Sequence, residues 1–159
     1  MRATNVKAER HIIVSAAVSG ALYAAWPDWR MAAASFMAGW AIDMDHVLDY
    51  LVEFGARSDW RNFFRSFYDS QYTRIYILFH AWEWLAVLAA AAMLSGWNPW
   101  ATGLLLGATH HMILDQLSNG VSAAGYSLLW RLSVGFAPDP AFPYKKKRFK
   151  SRRARRQGT

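Results

Sequence analysis

The chain contains no cysteine in its 159 residues, which excludes disulfides and thiolate metal sites. Histidine and carboxylate are then the only strong metal ligands it can offer. No internal repeat or low-complexity segment appears before the C-terminal tail. Positive charge is scarce outside that tail. Nine Lys or Arg lie between Lys145 and Arg156, leaving nine against eleven acids elsewhere, so the formal charge of +7 belongs to the tail alone. No small-residue cleavage site with a polar sequence behind it follows the first apolar run, which therefore reads as a retained membrane helix and not as a signal peptide.

Hydrophobic residues make up 54% of the chain, yet mean hydropathy is only +0.01, so apolar and polar segments must alternate. The apolar runs predict an all-α, polytopic membrane helical bundle with four spans near 11–27, 31–54, 74–95 and 99–118. Pro27-Asp28 and Gly96-Trp97-Asn98-Pro99 supply turns, and Gly55 ends the second span. Ser58–Ser70 alternates aromatic and charged residues as an interfacial amphipathic helix would. Residues 121–136 are apolar around a central Arg131 and read as a surface or re-entrant helix. The division is a membrane-embedded domain over 1–137 and a disordered polybasic tail over 138–159. Arg57, Arg61, Arg65, Arg74 and the tail carry the positive charge, while the Gly96–Pro99 turn carries none. The positive-inside rule then places both termini in the cytoplasm.

Ionisable groups inside these apolar runs are expensive, roughly 2.5–3.5 kcal/mol each at a bilayer centre. The chain repeats that expense at His11, at Asp43-Met44-Asp45-His46, at His80-Ala81-Trp82-Glu83 and at His110-His111 with Asp115. His111 and Asp115 are four apart and share a helical face; His80 and Glu83, like Asp43 and His46, are three apart. In the four-span topology all four segments fall at one depth, near the cytoplasmic boundary. The expectation is a divalent-metal site drawing on His11, Asp43, Asp45, His46, His80, Glu83, His111 and Asp115. Imidazole with carboxylate suits zinc first, and manganese or ferrous iron next. Eight candidate donors exceed what one catalytic zinc uses, which favours two ions. Glu83, His110 and Asp49 are the candidates for a general base. The bland alternatives are an interfacial His11, a His110 that only packs, a polar helix face at Asp49 and Glu53, and histidine–carboxylate pairs that merely lock the bundle.

These motifs carry a resemblance. A His opening the first helix, Asp-x-Asp-His after the second, a His-centred third helix and Gly-x-x-x-His-x-x-x-Asp in the fourth resemble the bacterial membrane-bound metal-dependent hydrolase family, itself remotely similar to zinc-dependent phospholipase C. The likeness covers roughly residues 11–120, through His11, Asp43, Asp45, His46, His80, His111 and Asp115. The chain departs from the family pattern at Ile42, where a Pro is usual, and at His80-x-x-Glu83, where the family has Thr-His-Ser. The resemblance implies hydrolysis at the inner (plasma) membrane.

The resulting expectation is a metal-dependent hydrolase acting on a phosphoester or similar bond of a lipid-like substrate. Residues 145–156 would bind anionic membrane lipids, at about 1 kcal/mol per basic residue near the surface. Specific nucleic-acid binding is not expected, because no folded reading module accompanies the basic run. The oligomeric state is not legible. The rival readings are a non-enzymatic metal binder or transporter, and a structural adaptor with a recruiting tail.

Overall fold

A computed structural model describes residues 8–55, 63, 72–119 and 121–138 of the chain. Among these residues the α-helices are α1 (Ala8–Ala25), α2 (Trp29–Ala41), α3 (Asp45–Phe54), α4 (Trp82–Leu94), α5 (Pro99–Ser118) and α6 (Leu128–Ser133). Short 3-10 turns occupy Ile42–Met44 and Ala123–Tyr126, and no strand occurs among the described residues. The chain is all-α. Its contacts divide it into two units, one formed by residues up to Met44 with 79–120, the other by 45–78 with 121 onward.

The first unit holds α1, α2, α4 and α5. The Asp28 carboxylate caps α2 by accepting from the Arg30 amide, and Asn98 caps α5 in the same way ahead of Pro99 at the first helical position. Both caps satisfy amides that a helix start leaves without a partner. The main packing is α2 on α5, with α1 beside α2. Closeness there depends on glycine. A Cβ added to Gly103 would run into the Met31 carbonyl, and one added to Gly107 into the Ser35 carbonyl. Gly107→Ala should therefore cost about 1–3 kcal/mol, the usual range for overpacking. Gly20→Ala in α1, where no atom lies within 4 Å, serves as the control. Equal denaturation midpoints for the two variants would contradict the close approach.

The second unit is organised around a buried pair. Asp49 of α3 accepts the backbone amides of Tyr76 and Ile77 at 3.1–3.3 Å. Arg131 of α6, 1% exposed, donates its Nη1 to the carbonyls of the same two residues, at 2.8 Å for Ile77. The 76–77 peptide groups are thus held from both sides by opposite charges, and Ile77 sits at φ +32, a left-handed conformation that β-branched residues rarely adopt. Burial pushes the Asp49 carboxyl up to about 7, against the amides and the Arg131 charge, which pull it down. Tyr50, Phe54 and Tyr72 pack nearby, and the Thr73 amide and hydroxyl both donate to Glu53.

Several expected elements are corrected. The predicted span 31–54 is interrupted, since α2 stops at Ala41 and the 3-10 turn intervenes before α3. The span predicted over 74–95 starts only at Trp82, because Ile77 is left-handed and Ala81 extended, with φ −142 and ψ 131. Residues 121–136 are not one surface helix but a 3-10 turn and a six-residue α6, with Arg131 drawn inward by the two carbonyls. No helix among the described residues is long and apolar enough to cross a membrane. The 13 residues of α2 or of α4 rise about 20 Å, against roughly 30 Å of bilayer hydrocarbon. The Ser58–Ser70 helix, apart from Phe63, and the tail beyond Pro138 lie outside the described residues.

Candidate metal centre

Five side chains of the first unit meet at one point. His11 comes from the first turns of α1, Asp43 from the 3-10 turn after α2, His80 from the bend before α4, and His111 and Asp115 from successive turns of α5. His11, His80, His111 and Asp115 are almost wholly buried, while Asp43 is half-buried. The local causes differ. His111 and Asp115 share a face through their i, i+4 spacing. The tight turn at Ile42–Met44 carries Asp43 inward, and the extended backbone at Ala81 leaves His80 outside α4.

His111 Nδ1 lies 2.8 Å from the Gly39 carbonyl oxygen, which has no proton, so Nδ1 must be the donor. That leaves a lone pair on His111 Nε2. Nε2 stands 3.1 Å from His80 Nε2, 3.7 Å from Asp43 Oδ1 and 3.9 Å from Asp115 Oδ2. His80 Nε2 is in turn 3.5 Å from Asp43 Oδ1 and 3.3 Å from Asp115 Oδ2. His11 Nε2 lies 3.1 Å from the other Asp115 oxygen, Oδ1, and its ring stacks on His111 at 4.3 Å. Two ligands bound about 2.0–2.1 Å from a tetrahedral ion stand roughly 3.3 Å apart. The observed spacings scatter around that value.

Electrostatics agree with a cation site. Burial, helped by the neighbouring His80, lowers the His111 imidazole to about 4, so it is unprotonated at neutral pH, as a ligand must be. Burial would raise Asp115, but contacts from His11 and His80 outweigh it and hold the carboxyl well below its ordinary range. Buried His11, His111 and Asp115 can each turn one ligand atom to a common ion. These buried His and Asp groups can hold a metal ion. Comparison with protein families, curated proteins and solved structures gives no match.

His110, next to His111 but about 100° around the helix, contacts the Leu106 carbonyl through Nδ1 and Ser15 Oγ through Nε2, both at 3.1 Å. Burial lowers its pKa as well. Asp45 and His46 belong to α3 in the second unit, with His46 Nδ1 4.0 Å from Asp45 Oδ1. Asp49 in the same helix takes the two amides described above. Glu83 is half-buried in the first turn of α4. Two contributors escaped sequence reasoning, namely Gly39, whose carbonyl sets the His111 tautomer, and fully buried Ser15. Small residues on apolar helices give no signal for either role.

Proposed function

We propose that the protein is a metal-dependent hydrolase acting at a membrane on a phosphoester, or similar bond, of a lipid-like substrate. The observation that carries this reading is the convergence of three imidazoles and two carboxylates from four separate stretches of chain, with the His111 tautomer set for binding. His11, Asp43, His80, His111 and Asp115 would hold the metal, which when bound lowers the pKa of its water and polarises the scissile bond. The two oxygens of Asp115 face different histidines, Oδ1 towards His11 and Oδ2 towards His80. That division would suit two ions, zinc first and manganese or iron next. Glu83, His110 and Asp49 are the candidates for proton transfer; His110 contacts Ser15 and the Leu106 carbonyl, and Asp49 takes the Tyr76 and Ile77 amides. Glu83 lies three residues beyond His80 in sequence, in the first turn of α4.

The membrane location rests on the surface of the first unit. Ile13, Val87, Leu94 and Leu117 face outward from their helices, and α4 is apolar nearly all round. Trp26, Trp29, Trp97 and Trp100 cluster at the two turns remote from the histidines, with Trp29 and Trp100 edge to face, as aromatic side chains do at a lipid–water boundary. Residues 145–156 would add attraction to anionic lipid. The phosphoester preference comes from the family resemblance alone.

Detergent-purified protein should contain zinc or manganese by elemental analysis and should hydrolyse a phosphodiester such as bis(p-nitrophenyl) phosphate, or phosphatidylcholine in mixed micelles. A chelator should abolish that activity and added metal restore it. Protein that contains no metal and gains no stability from added zinc or manganese would end the reading, in favour of a structural histidine–carboxylate network.

A further inference from the structure

A cavity of about 200 Å³ opens within the first unit beside the candidate metal centre. Its wall includes Ile42, Phe79, Ala81, Leu88, Leu104 and Met112, and its lining is apolar almost without interruption. Four of these wall residues are chain neighbours of the metal-site residues. Ile42 precedes Asp43, Phe79 and Ala81 flank His80, and Met112 follows His111. On α5 the wall residues Leu104, Ala108 and Met112 form one i, i+4 stripe, and His111 with Asp115 form the adjacent stripe. A polar, anion-and-imidazole end therefore adjoins an apolar end.

We infer that this cavity receives one hydrocarbon chain of an amphiphilic substrate whose polar head lies at the histidine–aspartate cluster. The inference rests on the hydrolase reading for the head, but the cavity's chemistry stands by itself. Sugars, nucleotides and peptides carry donors and acceptors that this lining cannot meet, and burying them unpaired is unfavourable. A methylene chain has none to satisfy. Volume sets the number of chains, since the cavity is smaller than the roughly 300–1,000 Å³ of sites that enclose a whole drug-sized ligand. It fits part of a single chain and excludes two side by side. The substrate class is then a single-chain amphiphile, or a lipid that inserts one of its chains.

A palmitic acid probe bearing a mid-chain diazirine tests this without any hydrolysis. Photolysis with the full-length protein as purified in detergent, followed by peptide mass spectrometry, should place the label on α4 and α5 at Leu88, Leu104 or Met112. Leu104→Trp and Leu88→Trp, both in the wall, should each lose that label while keeping the metal content of the parent. Label confined to outward residues such as Ile13, Leu94 and Leu117, or unchanged by either tryptophan, would overturn the chain pocket. Cavity labelling in a protein that neither binds metal nor hydrolyses a phosphodiester would sustain the pocket and remove the hydrolase.

Discussion

Asp115→Asn should strip the protein of its metal. The substitution keeps the shape of the side chain but removes the negative charge from the residue that both His11 and His80 approach, at 3.1 and 3.3 Å. An amide can turn only one oxygen towards the cluster and would face the other imidazole with an N–H. Loss of a supporting residue around a metal typically costs 10–100-fold in affinity, and loss of a ligand that touches two sides of the site should exceed that. The measurements are elemental analysis of the purified variant and its thermal midpoint with and without added zinc. The parent should gain stability with zinc, because an ion that binds only the folded state stabilises by mass action, and the variant should show no response. Metal content equal to the parent's would remove Asp115 from the site. Asn at position 43 makes a graded comparison, since half-buried Asp43 stands farther away, 3.5 and 3.7 Å from the two imidazoles.

The second large effect is expected at Arg131→Met. The side chain is 1% exposed and donates to two backbone carbonyls, while Asp49 takes the amides of the same residues. Methionine of similar length would leave those carbonyls short of a donor and the Asp49 carboxylate buried without its cation. Removing one partner of a buried charged arrangement costs about 3–5 kcal/mol, which denaturant unfolding should read directly. Lysine should restore only part of the loss, because a single ammonium cannot reproduce the planar guanidinium fork. The pH dependence has a defined sign. The folded Asp49 carboxyl is raised to about 7, so its contribution is complete at acid pH and declines as pH climbs from the ordinary carboxylate range through that value. Without Arg131 it rises further, and the deficit of the variant should widen above neutrality. A constant deficit from pH 6 to pH 9 would show that the two residues do not interact.

Local chemistry made some of this structure legible and hid the rest. The start of α5 follows from Asn98-Pro99, a side-chain cap next to a residue preset for the first helical position, and α1 coincides closely with the first apolar run. The pairing of His111 with Asp115 is a property of helical periodicity and needs no tertiary information. The failure at 74–81 is of another kind. Ile75, Ile77, Leu78 and Phe79 read as the beginning of a long apolar helix, but the 76–77 backbone is bound to Asp49 and Arg131, tens of residues away in sequence. Hydrogen bonds from distant side chains replaced those of a helix, and hydropathy cannot register that exchange. For His110 only the partner was hidden. One residue's rotation around α5 separates it from the cluster and aims it at Ser15, a partner that no periodic pattern in α1 marks out.

His11 and Asp115 are in contact although about a hundred residues of chain separate them. During synthesis the first donor emerges long before the last. An ion met early finds one imidazole; only after α5 has folded against α2 does the full set exist. Loading of an ion would thereby wait for α5, and a chain cut short anywhere before α5 has no Asp115 or His111 with which to retain one. Occupancy of the centre would report that the helical unit has been finished.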